Sequence, residues 1–219
     1  MKIPSCSKTY GSRTVLNLPE MELPSHAICA VIGANGSGKS TFAKILAGIL
    51  APDKPGPVLE PGITAGYMPQ RSYAYRMSVI QNILLGGHDQ ARAEKLMEAL
   101  SLTHLRRKRA DKLSGGETAR MALARLIMKD FDLVILDEPT ASMDMETTYQ
   151  AEKLMVDYCR ERGAAMLLVT HDLHQAKRVA DHILFLQKGA LIESGGKEDL
   201  LSSPKREESK QFLRFYGMA

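Results

Sequence analysis

The run GANGSGKST, Gly33–Thr41, sets one lysine among residues too small to shield their own backbone. The apolar AICAVI precedes it and FAKILAGIL follows, so a buried strand is predicted to turn sharply into a helix here. Gly33, Gly38, Lys39 and Ser40 meet the spacing G-x-x-x-x-G-K-[ST]. Backbone N–H groups from Gly33 through Ala34, Asn35, Gly36, Ser37 and Gly38 can close around phosphate oxygens. The helix carrying Ser40 and Thr41 adds its positive end. Lys39 is then expected to reach the β- and γ-phosphates, and the Ser40 hydroxyl to ligate Mg²⁺. The chemistry indicated is binding of a nucleoside triphosphate.

Two further groups fit the same chemistry. Asp137-Glu138 follows the apolar run LVIL, and ligands of parallel sheets sit at the carboxyl ends of strands. Asp137 is placed to hold Mg²⁺, directly or through water, and Glu138 to polarise a water against the γ-phosphate. His171 ends a second apolar run, LLVT, at the same sheet edge, within expected reach of that phosphate. His26, His88, His104, His174 and His182 have no comparable placement. LSGGE, Leu113–Glu117, reads as an ordinary N-cap, with Ser114 and Glu117 at capping-box spacing. Its helix start nevertheless offers an anion free N–H groups and a hydroxyl.

Positioning these groups requires strands that alternate with helices. Phe42, Ile45, Leu46 and Ile49 have helical spacing, and Pro52 is expected to end that helix. Prolines and glycines make Ala51 to Gln70 a loop with at most short strands. From Ser78 to Met128 the pattern is helical, with one stripe through Ala93, Leu96, Met97 and Leu100 and another through Met121, Ala124 and Met128. Strands return at Leu133–Leu136 and Ala165–Val169, around a helix carrying Ala151, Leu154, Met155 and Tyr158. HILFLQKGALIES reads as a hairpin turning at Lys188-Gly189. The fold class predicted is α/β, a phosphate-loop core with a mostly parallel sheet. Residues 1–69 and 129–219 are assigned to that core and 70–128 to an inserted helical subdomain.

Composition narrows the context. With 44% hydrophobic residues the 219-residue chain can build a core, yet no apolar stretch approaches the roughly 20 residues of a membrane span. MKIPSCSKTY lacks the apolar core of a signal peptide, so export is not expected. Cys6, Cys29 and Cys159 have no C-x-x-C spacing and suit a reducing cytosol. The run Arg106-Arg107-Lys108-Arg109 reads as a solvated helix end. Its alternative, a contact with acidic lipid or nucleic acid, lacks interleaved aromatics on the nucleic-acid side.

Taken in order, these residues resemble the ATP-binding cassette (ABC) family from about Tyr10 to the end of the chain. GANGSGKST is similar to its Walker A, YMPQ to its Q-loop, LSGGE to its signature, LVILDEP to its Walker B, ASMD to its D-loop and VTHD to its switch-histidine motif. The resemblance implies a cassette that pairs head to tail with a second copy and hydrolyses ATP to drive a membrane permease. Ser114, Gly115 and Gly116 of one copy would close over the γ-phosphate at Lys39 of the other. Tyr10 would stack on adenine, Gln70 would sense Mg²⁺ and the γ-phosphate, and Asp144 would link the two sites. A small antiparallel β part belongs to the same implied fold. The chain would sit in the cytoplasm, peripheral on the inner face of the membrane through a separate permease, with a solute-binding protein in the complex and no nucleic acid.

There are departures. Glu117 replaces the commoner glutamine, and Thr118-Ala119 a polar pair. The stretch from Lys39 to Gln70 is shorter than the family norm, which argues against a full antiparallel hairpin beside the nucleotide. The helical block and the stretch from Thr170 to Gly195 are similar to ATPases of tungstate and related oxyanion importers. An export or cell-division cassette would more typically read PTGNLD where this chain has PTASMD. A soluble ABC ATPase of ribosomes or DNA would carry two cassettes or a coiled-coil insertion. A small-molecule kinase would leave LSGGE and His171 without a task.

Overall fold

Leu133–Asp137 and Ala165–Val169 are apolar almost throughout, a pattern suited to strands covered on both faces. The computed structural model, which describes residues 1–54 and 58–218, places them so. Pro55, Gly56 and Pro57, part of the predicted loop, lie outside the described residues. The chain begins with β1 (Lys2–Ile3), β2 (Cys6–Tyr10), β3 (Arg13–Leu18) and β4 (Met21–Glu22), and continues through β5 (Ile28–Ile32) into α1 (Lys39–Leu46). Next come β6 (Ala65–Met68), the helices α2 (Val79–Leu84), α3 (Gln90–Ala99) and α4 (Gly115–Ile127), and β7 (Leu133–Asp137). Then follow α5 (Met145–Arg162), β8 (Ala165–Val169), α6 (Leu173–Val179), the hairpin β9 (His182–Gln187) and β10 (Ala190–Gly196), and the helices α7 (Lys197–Ser202) and α8 (Glu207–Phe215).

The main sheet runs β10-β9-β5-β8-β7-β6. All its pairings are parallel except β10 with β9. Every residue of β5, β7 and β8 is buried. Alternation along β7 divides the core. Leu133 and Ile135 pack on the side of Phe42 and Ile45 from α1. Val134 and Leu136 pack with Ile83, Met97 and Met121 from the helices between β6 and β7. The stripes read from the sequence are the buried ones, Leu96 at 8% exposure being the most open of their seven residues.

One expectation is corrected. Helix α1 stops at Leu46 rather than running toward Pro52. Gly48 takes φ 68°, and the N–H groups of Ile49 and Leu50 both turn back to Lys44 O, so Ile49 points outward at 62% exposure. The antiparallel part is built upstream of the phosphate loop, where β2 pairs with β3 and β1 with β4. At the predicted hairpin turn, Lys188 and Gly189 take φ 49° and 81°, as a two-residue turn between twisted strands requires.

Candidate nucleotide site

The phosphate loop needs glycine for steric reasons. A Cβ on Gly33 would stand 2.1 Å from Leu186 O of β9, and one on Gly38 2.9 Å from Val15 O of β3, with φ at 146° and 101°. The turn at Gly189 closes the loop from outside, donating its N–H to Ser37 O (3.0 Å) and accepting from Asn17 N (2.7 Å). Lys39, 6% exposed, folds back to donate to Gly33 O (2.8 Å) and Ala34 O (3.0 Å). Burial pulls its pKa down, and the carboxylates of Glu138 and Asp137 oppose that.

Strand β7 delivers the acidic pair. The Ser40 hydroxyl donates to Asp137 Oδ1 at 3.0 Å and the Tyr67 hydroxyl to Oδ2 at 3.4 Å. Burial raises the Asp137 pKa, with the Ser40 bond working against it. One residue on, Glu138 adopts φ 49° and donates its N–H to Val169 O at 2.9 Å. Its Oε2 accepts from Gln70 Nε2 at 2.7 Å, and its Oε1 lies 3.1 Å from His171 Nδ1. The strand register explains the meeting: Asp137 pairs with Val169, so β7 and β8 end side by side.

Lys39, Ser40, Thr41, Gln70, Glu138 and His171 all line one cleft of ≈ 670 Å³, with Asn35, Gly36 and Gly38. Gly33, Ala34, Ser37 and Asp137 are not in this lining; Gly33 and Ala34 are joined to it through Lys39 and Asp137 through Ser40, while Ser37 sits between Gly36 and Gly38 with its carbonyl bonded to Gly189 N. Gln70, assigned to the metal by sequence, spends its amide on Glu138. Tyr10 is 54% exposed and is paired with Arg13, which lines the cleft.

Ser114, Gly115 and Gly116 do not line this cleft. Ser114 caps α4 in a capping box with Glu117, as its spacing predicts. Gly116 packs so closely on the loop after Glu138 that a Cβ would stand 2.7 Å from Ser142 O. Asp144, in that loop, caps α5 by accepting from Thr147 N at 2.8 Å. Sequence reasoning missed Arg13 and Val15 in the cleft wall, and Tyr67 beside Asp137. Tyr67 stands three residues before Gln70, but the pairing of its strand with β7 is seen only in the structure.

A hydroxyl and a carboxylate 3.0 Å apart supply hard oxygen donors, the set that Mg²⁺ takes when phosphates and waters complete its shell. Among the described residues no group of three or more His, Cys, Asp or Glu could hold a metal alone. Three of the four cations of the basic run have acidic neighbours: Arg106 with Glu94, Lys108 with Glu117 and Arg109 with Asp111.

The family model for "ABC transporter" matches residues 16–141, more than half of the chain. The tungstate uptake system ATP-binding protein TupC of Peptoclostridium acidaminophilum is 38% identical over 211 residues, covering 89% of this chain and 97% of that protein. A bacterial Atm1-family ABC exporter with ATP bound superposes with a TM-score of 0.86 at 24% identity, over 99% of this chain and 42% of that longer one. The cassette MJ0796, in a dimeric post-hydrolysis state bound to ADP and Pi, gives 0.77 at 20% identity, over 90% and 98%. At those identities the two structures establish the fold.

Proposed function

The chain belongs to the ABC transporter family as an ATP-binding, ATP-hydrolysing cassette, and from that premise we propose that it powers a separate permease in the uptake of a small oxyanion such as tungstate. One observation carries the hydrolytic reading: Gln70, Glu138 and His171 are in contact at the mouth of a lysine-bearing phosphate loop. Lys39 and the loop N–H groups bind the phosphates. Ser40 and Asp137, with Gln70 nearby, would hold Mg²⁺, which would supply charge neutralisation on the phosphates. Glu138 takes a proton from water as the water oxygen bonds to the γ-phosphorus and the bond to the ADP oxygen breaks. His171 contacts the γ-phosphate, and Tyr10 at the cleft's edge stacks on adenine.

Ser114, Gly115 and Gly116 serve a second copy's nucleotide, a reading supported by their position outside their own chain's cleft. Residues 70–128 act as a helical subdomain on the core of 1–69 and 129–219. A groove of ≈ 340 Å³, lined from Tyr67 to Pro69 just before Gln70, carries exposed Tyr73 and Leu85 and suits an apolar permease segment. Among the described residues no helix is long and apolar enough to cross a membrane. In this reading the chain works on the cytoplasmic face through the permease, with a solute-binding protein delivering the anion. The importer assignment rests on the relative that covers nearly its whole length and is named for tungstate uptake.

The test is hydrolysis by the chain purified with its permease in liposomes. Tungstate with the solute-binding protein should stimulate it, and Ser114→Arg should abolish it while ATP still binds at Lys39. Full activity of Ser114→Arg would overturn the two-copy reading, and stimulation by a metal cation instead of an oxyanion would overturn the substrate class.

A further inference from the structure

The loop after Glu138 and the helix after His171 are joined by one buried side chain. Gln175, on α6 and 1% exposed, donates its two Nε2 hydrogens to different partners: Thr140 Oγ1 at 2.8 Å and Glu152 Oε1 at 3.2 Å. Glu152, on α5 and 4% exposed, is in turn held by Arg178 through Nε to Oε2 (2.8 Å) and Nη2 to Oε1 (2.7 Å). Arg178 comes from the same helix as Gln175, and its guanidinium lies 5.0 Å from the centre of the Tyr149 ring on α5. Both ends of this assembly are fixed. Asp172 caps α6 by accepting from His174 N and Gln175 N, and its own N–H goes to Thr170 Oγ1. Thr140 sits in the turn closed by Ala141 N onto Glu138 O.

Glu152 is buried, whereas the Arg178 side chain is 32% exposed, and a pair with one end in solvent adds little net stability. What it adds is a fixed register between two elements, because a bidentate pair and a forked amide tolerate little displacement. The elements concerned are those that carry Glu138 and His171 out of adjacent strand ends. The same loop continues to Ser142, whose carbonyl packs on Gly116 at the start of α4.

We propose that Gln175 is a positioning residue for hydrolysis: through Thr140, and anchored by Glu152 and Arg178, it holds the loop of residues 139–144 in register with α6. Glu138 and His171 then meet the γ-phosphate as one unit, and the helix start carrying Ser114 follows the same loop. The inference rests on the reading of Glu138 and His171 as groups acting at that phosphate.

The experiment uses the chain with its permease in liposomes, measuring kcat and KM by phosphate release and ATP affinity with a fluorescent analogue. Gln175→Met and Thr140→Val each remove the bond with little change of volume. Each should lower kcat by roughly 10- to 100-fold, the scale of an ångström-level misplacement, with ATP affinity within about threefold of wild type. The double variant should be no slower than the slower single, since both remove one interaction. Thr140→Ser, which keeps the hydroxyl, should recover most of the lost rate. If Gln175→Met does not fold, the Thr140 pair decides alone. Wild-type kcat in Thr140→Val, or equal loss in Thr140→Ser and Thr140→Val, would overturn the positioning role. Glu138→Gln in the same assay separates the two ideas: an active Glu138→Gln removes the catalytic reading and this inference with it. An inactive Glu138→Gln beside a fully active Thr140→Val removes this inference only.

Discussion

Replacing Glu138 by glutamine isolates proton affinity from everything else the side chain does. The carboxylate makes two contacts, at 2.7 Å to Gln70 Nε2 and 3.1 Å to His171 Nδ1. A glutamine there keeps the volume, its oxygen can still accept from Gln70, and its amide can donate to His171 Nδ1 when the ring proton sits on Nε2. Neither neighbour is left unpaired, so folding and nucleotide binding should survive. An amide oxygen cannot take the proton from water, however, and general-base assistance is worth roughly 10²- to 10⁴-fold. That corresponds to about 3–5 kcal/mol on the barrier. Removing a negative charge near the γ-phosphate should leave ATP affinity unchanged or tighter, because Glu138 and the phosphate repel. Phosphate release gives kcat, and titration with a fluorescent ATP analogue gives affinity. If hydrolysis is what separates a closed pair, light scattering with ATP should also show the variant accumulating as a dimer in the permease complex. A kcat above about a tenth of wild type would refute the base assignment, since that loss falls below the range for a general base. ATP binding weakened more than tenfold would refute the claim that the site geometry survives.

Tyr10→Ala removes an aromatic face that is 54% exposed; stacking binds ground and transition states alike, so KM should rise about fivefold or more with kcat within about twofold. A large kcat loss at unchanged KM would exclude Tyr10 as the adenine platform. Glu117→Gln keeps the cap on α4 but loses the charge that the Ser114 N–H, and secondarily Lys108, hold below its ordinary pKa. A depressed carboxylate stabilises the fold above its unfolded value, near 4.3, and loses that stabilisation as pH falls through the folded value. Urea unfolding should therefore show wild type more stable by up to about 1 kcal/mol at pH 7, shrinking toward zero in acid; a difference that is constant with pH would contradict the charge origin.

The parallel core was legible because burial on both faces leaves an unmistakable composition: Leu133–Leu136 and Ala165–Val169 have no polar residue to mark an exposed face. The phosphate loop was legible for a related reason, since contacts with Leu186 O and Val15 O exclude any side chain at Gly33 and Gly38. The end of α1 was not. Apolar spacing continued through Ile49, but Gly48 offered a left-handed exit that satisfied the last carbonyls sooner. Arg13, Val15 and Tyr67 reach the site through tertiary placement of β3 and β6, and no local pattern records which strand will lie beside which. Gln175 was invisible for the same reason, because a glutamine inside an amphipathic helix gives no sign that both its amide hydrogens are buried and used.

The backbone at Glu138 accounts for how two adjacent residues serve one cleft. In a regular strand neighbouring side chains point to opposite faces, so extending β7 by one residue would send Glu138 away from Asp137. Instead Glu138 takes φ 49°, and it does so before Pro139, a combination unfavourable for a non-glycine residue. Such a conformation costs on the order of 1–3 kcal/mol and persists only where surrounding contacts over-determine it. Here they do: Val169 O takes its N–H, Ala141 N donates to its carbonyl, and Gln70 and His171 hold its carboxylate. Asp137 stays within the strand against Ser40, while Glu138 enters the cleft beside Lys39. Glycine would relieve the strain and remove the carboxylate. The strain is thus tied to the one position where the proposed chemistry requires a side chain that the backbone would otherwise exclude.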